Sequence, residues 1–437
     1  MKKYLKEAIK YQLRSYPLIK KYVREIEEMY KMEPQQLRKR NEQRFLYIFR
    51  KAYIHSPFYH QLYSTAGLKV DDIRQLDDIR RLPIITKEII RQHGREMRIG
   101  RLLLPNHTSG TSGSPLDVWE SAESILREQA YFYVYRKRCG FHYGEDRLAS
   151  LRGNLGREDT TLWVGLAHTL FLSSYNLRKE TVGKYVDAIV RTCPKAIEGY
   201  PSSLYNLCCL IEAQGLKCHI PLCFTSSENL LDYQRDKIAT VLQAEVYDHY
   251  GTTERTIRLE ESLDHNGYFE DPGYSINEYT SDGEITTSLI NSDFPMIRYQ
   301  TFDQFETTDI VSPPCLSDGR HGIHPVVRQI YGRPSSVLVG KDGSIYTNAA
   351  LTFVISKNAG LNIRYAQFVQ HQDGKVELRV VTDGRLLSMS EKESLLKMIH
   401  EKIGRNNIDI DIVQTDKSQL IVTERGKFSY VISEYKQ

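Results

Sequence analysis

Long apolar runs are missing from these 437 residues: no window approaches the roughly 18 unbroken apolar positions of a membrane span, so none is expected. Paired cysteines are missing too. The seven cysteines are odd in number, form no CxxC pair and include the adjacent Cys208 and Cys209, which excludes a disulfide framework and points to reduced thiols in or near the core. Behind the basic start Met1-Lys2-Lys3-Tyr4-Leu5-Lys6 there is no apolar stretch, so no cleaved secretory signal is expected and the expected address is the cytoplasm. Internal repeats and low-complexity tracts are likewise absent.

What remains is a globular composition, 41% hydrophobic and 26% charged, long enough for two or three domains. The net charge of +4 is unevenly spread, because residues 1–51 hold fifteen Lys/Arg against six Asp/Glu. Two solvated helices explain that excess, since Glu25, Glu27 and Glu28 interleave with it; the alternative is a basic arm on an anionic membrane surface or on phosphates. No nucleic-acid partner is expected.

Helical spacing predicts a helix over residues 3–32, interrupted near Pro17, and a second from Gln35 that Pro57 ends. Between about 100 and 330, strand-like runs at 146–151, 219–225, 244–250 and 283–290 alternate with helix-like stretches at 120–137, 181–192, 201–214 and 230–243. That alternation predicts an α/β architecture of helix-covered sheets. After Gly332-Arg333-Pro334 the pattern changes to strands at 363–371 and 375–382, a helix at 390–403 and a strand at 408–414, enough for a small α+β domain. The expected division is a helical region 1–98 belonging to the large domain, an α/β core 99–333, and a small mobile domain 334–437.

Four segments carry chemistry. In Thr108-Ser109-Gly110-Thr111-Ser112-Gly113-Ser114-Pro115, two glycines free the backbone to bend around an anion, and hydroxyls and amides can donate to phosphate oxygens. The segment lacks the Gly-Lys-Ser/Thr ending of a P-loop, which disfavours a Walker-type NTPase; a flexible surface turn has the same composition. Tyr250-Gly251-Thr252-Thr253-Glu254 follows the strand-like Val246-Tyr247-Asp248-His249, where open α/β sheets bind ligands. Tyr250 can stack on a purine and Glu254 can hold Mg²⁺, against a plain strand-to-loop turn. Within Phe294 to Asp303, Asp303 can accept from a ribose diol, or can pair with Arg298 on a surface strand. Lys427, in Thr423 to Phe428, gains interest only from the other three.

In order and spacing these four segments resemble the acyl-adenylate-forming enzymes, and within them the phenylacetate–CoA ligase branch with its CapK-type capsular-polysaccharide relatives. Ser56-Pro57-Phe58-Tyr59, Leu82-Pro83-Ile84-Ile85-Thr86-Lys87, Gly199-Tyr200-Pro201-Ser202, Thr225-Ser226-Ser227-Glu228 and Gly332-Arg333 extend the resemblance over nearly the whole chain. It implies that Thr108, Ser109, Gly110, Thr111, Ser112 and Gly113 wrap the β- and γ-phosphates of ATP. Ser226, Ser227 and Glu228 line the adenine, with Tyr250, Gly251 and Thr252 beside it. Thr253 touches the α-phosphate, Glu254 carries Mg²⁺, and Asp303 with Arg333 holds the ribose. Lys427, on the mobile domain, bridges the attacking carboxylate and the α-phosphate.

The implied reaction makes acyl-AMP from a small carboxylic acid, releases pyrophosphate and passes the acyl group to CoA or another acceptor. Charge neutralisation and in-line positioning carry most of such a rate. The alternatives are transfer of an acyl or aminoacyl group to a sugar in capsule assembly, and a degenerate nucleotide-binding scaffold; the resemblance also implies a homodimer. Three features depart from the family's pattern. Ser335 and Ser336 stand where a hinge acid or lysine is usual, and Gln300-Thr301-Phe302-Asp303 keeps the aspartate with altered neighbours. Cys315, His321, His324 and His265 hold one cysteine among them, so no structural metal is assigned. Tyr131, Phe132, Trp163, His168 and Tyr200 fall where the family walls its acyl pocket, or simply fill a core.

Overall fold

The computed structural model describes residues 9, 16–107, 116–152, 155, 159–311, 325–332, 337–346, 351, 363–382, 384–403, 407–422 and 428–435. Helix α1 spans Tyr16–Met29 and α2 spans Pro34–His55. Pro17 sits in the first turn of α1, where a missing N–H leaves no bond unmade; residues 1–8 and 10–15, on which the earlier part of the expected helix falls, lie outside the described residues. Ser56 closes α2 and opens α3 (Pro57–Thr65), its Oγ accepting from the Tyr59 N–H at 3.4 Å. Basic residues of α2 meet acids from other elements: Arg38 pairs with Asp77, Arg44 with Glu123 and Lys51 with Asp293. Pairing of that kind fits a helix whose charges are neutralised locally.

Thr86 caps the short α4 (Lys87–His93), and the hairpin β1 (Leu104–His107) and β2 (Asp117–Glu120) follows, His107 opposite Asp117. Helix α5 (Ala122–Arg138) then leads into a ten-stranded sheet. Its centre is parallel: β3 (Leu148–Arg152), β5 (Thr169–Ser173), β6 (Ala196–Gly199), β7 (Leu222–Ser226) and β8 (Glu245–Gly251), ordered in space β5-β3-β6-β7-β8. Helices α6 (Val182–Thr192), α7 (Pro201–Ala213) and α8 (Asp232–Leu242) connect β5 to β6 to β7 to β8. One face, with Leu151, Ile197, Cys223 and Val246, packs under these helices into a single apolar core. Beyond β5 lies the antiparallel edge strand β4 (Thr161–Val164), and beyond β8 run β9 (Arg258–Glu261), β10 (Tyr268–Glu270), β15 (Pro325–Gly332) and β14 (Gln304–Val311).

A second, antiparallel sheet of β11 (Ser275–Thr280), β12 (Gly283–Ser288) and β13 (Tyr299–Gln300) shares its core with α2, α3 and α4. The Ile85 N–H donates to the Arg298 carbonyl and the Gln300 N–H to the Ile85 carbonyl, both at 2.9 Å, which stitches the early segment to β13. The C-terminal residues carry a separate apolar cluster. A small hairpin, β16 (Leu338–Val339) with β17 (Ile345–Tyr346), joins a four-stranded sheet, β20-β19-β18-β21, built from β18 (Ile363–Gln370), β19 (Val376–Thr382), β20 (Ile410–Gln414) and β21 (Val431–Ser433). Helix α9 (Met389–Ile403) packs on it through Leu395 and Ile399. The α/β class is as expected. No described helix is long and apolar enough to cross a membrane, and the cysteines among the described residues are free.

Candidate functional site

The carboxyl ends of β7 and β8, the start of β14 and the segment before β21 surround a cavity of about 770 Å³, within the range usual for small-molecule sites. Its floor comes from the turn after β8. Thr252 Oγ1 accepts the Thr256 N–H at 3.2 Å and closes that turn, with Arg255 in the left-handed region at φ 55°. Glu254 is thereby folded inward and buried, and its Oε1 accepts from Tyr299 Oη at 3.2 Å. Tyr250 donates its hydroxyl to Asp303 Oδ2, while its ring meets Phe305 edge-on at 5.3 Å.

Asp303 is fixed by backbone. Its N–H donates to Thr301 Oγ1 at 3.1 Å, and its carbonyl accepts the Glu284 N–H at 3.0 Å. The chain passes so close to Gly283, at φ 103°, that a Cβ there would stand 2.8 Å from Phe302 Cα, so only glycine permits the approach. Arg298 does not pair with Asp303; it forms a two-point ion pair with Glu278 at 2.9 and 3.0 Å and donates to the carbonyls of Arg80 and Leu82. Arg298 is thus held away from Asp303, which lines the cavity.

Glu228, just past β7, joins two parts of the chain. Its Oε2 accepts the Ser202 N–H at the start of α7 at 3.1 Å, and its Oε1 accepts the Phe428 N–H at 2.7 Å. Phe428, Ser429 and Tyr430 thus line the cavity opposite Tyr250 and Glu254. Behind β8, burial and the neighbouring Glu261 push the Asp248 carboxyl up to about 7, against donation from Thr225 and Tyr268. Burial, followed by the cations Arg258 and Arg136, pushes His249 well below the usual histidine range, so it is neutral at pH 7.

Of the residues singled out from sequence, Ser227, Glu228, Tyr250, Gly251, Thr252, Thr253, Glu254 and Asp303 line this one cavity. Ser226 is buried beside it, its Oγ accepting from Arg152 at 3.2 Å. Thr108, Ser109, Gly110, Thr111, Ser112 and Gly113, Arg333 and Lys427 lie outside the described residues, as do Ser335, Ser336, Cys315, His321 and His324. Gly332 and Phe428, their immediate neighbours, line the cavity. His265 sits between Glu245 and Glu261, and among the described residues no group of three His, Cys, Asp or Glu is placed to hold a metal.

The five aromatic positions separate. Tyr131 is core, its hydroxyl on the Pro272 carbonyl, and Trp163 lies half exposed on the edge strand β4. Phe132 meets His249 edge-on, Tyr200 lies under the Arg152 guanidinium, and His168 caps a turn in the left-handed region. Lys87 was missed as a site residue: it also lines the cavity. Only the pairing of Ile85 with β13 brings it there, a contact between residues over 200 apart.

No family model matches the chain. Among curated proteins it is similar to phenylacetate–coenzyme A ligase of Escherichia coli (strain K12), 22% identical over 405 residues covering 82% of this chain and 84% of that one. It is also similar to phenylacetate–coenzyme A ligase of Pseudomonas putida, 25% identical over 306 residues covering 61% and 66%. Among solved structures it shares its fold with 2-hydroxyisobutyryl-CoA ligase in the postadenylation state, with a TM-score of 0.70, 16% identity and 93% of this chain over 91% of that one. Against an open conformation of that ligase with 2-HIB-AMP and CoA the TM-score is 0.53, over 92% of this chain and 93% of that one.

Proposed function

We propose that this chain is an AMP-forming acid ligase that activates a carboxylic acid with ATP as acyl-AMP, releases pyrophosphate and transfers the acyl group to CoA. The observation that carries the reading is the meeting of Tyr250 to Glu254, Asp303 and the Glu228-held Phe428 around one cavity, three segments far apart in sequence. The phenylacetate–CoA ligases it resembles, and the CoA ligase whose fold it shares, support the same reaction class.

In this reading Asp303 accepts from the ribose diol, and Tyr250, already bonded to it, marks the nucleoside end. Thr253 and the segment 108–113 take the phosphates, and Arg333 assists at the ribose. Lys427 reaches the α-phosphate from the residue before Phe428. The fit to Mg²⁺ rests on Glu254, a buried carboxylate that lines the cavity, since one or two carboxylates plus nucleotide phosphates is the usual share. The metal would neutralise charge building on the phosphates, and Lys87 offers a second cation at the same cavity. Residues 334–437 form the small domain, supported by an apolar cluster running from Leu338 to Val431.

The test is pyrophosphate release from ATP with a panel of acids, with and without CoA. Acid-dependent release, lowered at least about a hundredfold by Glu254→Gln, and a CoA-dependent thioester product are expected. Release that requires a sugar and ignores CoA would move the acceptor to surface-polysaccharide assembly. Formation of ADP, or no acid dependence, overturns the reading.

A further inference from the structure

The two faces of the parallel sheet are unalike. Under α6, α7 and α8 the strands present Leu151, Ile197, Cys223 and Val246. On the opposite face, at their carboxyl ends, stand Arg152, Glu198, Ser226 and His249, each largely buried except Arg152 at 28% side-chain exposure. Arg136 of α5 donates to Glu198 Oε2 at 2.5 Å, and Ser150 donates to Glu198 Oε1 at 2.9 Å. Arg152 donates to Ser226 Oγ, lies 3.8 Å from Glu198 Oε1 and covers the Tyr200 ring. Burying this many polar groups is unfavourable unless each is matched.

Three polar atoms of this face make no hydrogen bond. Arg152 Nε, Ser173 Oγ and Ser174 Oγ are buried with no hydrogen-bond partner among the described residues. Arg152 and Ser173 are register partners on β3 and β5, so both side chains stand on the same face, and the Ser174 N–H donates to the Arg152 carbonyl. Their place in the topology is specific. Numbered along the chain, the parallel strands run 2-1-3-4-5 in space, so the winding reverses between β3 and β6. Ligands of open α/β sheets sit outside the carboxyl ends of the strands at that reversal, and Arg152 and Tyr200 are the residues found there. Ser226 and His249 continue the face to the nucleotide cavity, which His249 lines.

We infer that the acid activated by this chain carries a second oxygen function, a hydroxyl or a second carboxylate, that seats at the β3/β6 strand ends and accepts from Arg152 with the Ser173 hydroxyl beside it. The inference rests on the adenylation reading and names its substrate class. A hydrocarbon acid at this place leaves Arg152 Nε and the two serine hydroxyls without a hydrogen bond, and a site built for a hydrogen-bonding group rejects the analogue that lacks one. His249, neutral and edge-on to Phe132, adds no competing charge between this end and the cavity.

The experiment measures acid-dependent pyrophosphate release for matched acids: butyrate, 4-hydroxybutyrate and succinate, then phenylacetate, 4-hydroxyphenylacetate and 4-carboxyphenylacetate. The oxygenated members of a series are expected to exceed the hydrocarbon member in kcat/KM by at least about tenfold. The hydroxyl and carboxylate arms show which acceptor Arg152 takes. Arg152→Met is expected to bring that ratio to about one, and Ser173→Ala to reduce it. A hydrocarbon acid matching its oxygenated partners in the unsubstituted protein overturns the inference, whatever the variants do. A ratio that survives both substitutions overturns it as well. Pyrophosphate release from none of the acids is a different failure, that of the adenylation reading itself.

Discussion

Replacing Glu228 with alanine removes two charge-assisted acceptors at once, and they have different consequences. The bond to the Ser202 N–H, at 3.1 Å, stays within the large α/β unit and steadies the start of α7. The bond to the Phe428 N–H, at 2.7 Å, reaches the residue after Lys427. A hydrogen bond to a charged group is worth about 1.5–3 kcal/mol. If about 2 kcal/mol of that is spent holding residue 428 at the cavity, adenylation falls about 30-fold on its loss. In the proposed assignment Lys427 acts in adenylation alone, so thioester formation from acyl-AMP supplied ready-made is expected to change less than about twofold. Measuring the two half-reactions separately, with the unfolding midpoint in parallel, isolates the effect. Equal losses in both halves would show Glu228 to be merely structural; no loss in either would refute the argument that it positions the C-terminal segment.

Asp303→Ala removes the acceptor proposed for the ribose and the bond it accepts from Tyr250; KM for ATP is expected to rise roughly 10- to 100-fold with a smaller change in kcat, and an unchanged KM contradicts the assignment. Asp248, raised to about 7, keeps in the folded state a proton that the unfolded chain releases near pH 4. Its stabilising share is therefore full below about pH 4 and is lost as pH rises to about 7. Relative to Asp248→Asn, urea denaturation should show the unsubstituted protein losing roughly 1.4 kcal/mol per pH unit between pH 5 and 7 and little more by pH 8; a gap that does not change with pH contradicts this. Arg298→Ala leaves the half-buried Glu278 without its cation and frees two carbonyls, an expected loss of about 3 kcal/mol by denaturant unfolding, with a loss under about 1 kcal/mol counting against it.

Much of the architecture is legible in the residues alone. The amphipathic helices α5 to α8 and the strands β3, β7, β8 and β12 fall within a few residues of their expected spans, as do β18, β19, α9 and β20. The short strands β5 and β6 were not anticipated, because both are buried on two faces and their sequences, Thr169 to Ser173 and Ala196 to Gly199, lose the period-two alternation that marks a strand. The site was legible where residues are local, as in Tyr250 to Glu254. It was not legible where function depends on approach between distant segments. Lys87 reaches the cavity only through Ile85 and β13, and Glu228 meets Phe428 across 200 residues. Nor does sequence spacing reveal that Arg152, Glu198, Ser226 and His249 share one face, since that follows from strand order.

In the proposed reaction the acid's own oxygen attacks the α-phosphorus of ATP. Supplying an acid with ¹⁸O in its carboxyl group tests this directly, because that oxygen becomes the bridge of acyl-AMP and stays with phosphorus when the acceptor takes the acyl carbon. AMP carrying one ¹⁸O and pyrophosphate carrying none are expected. Unlabelled AMP, or label in orthophosphate alongside ADP, would contradict it.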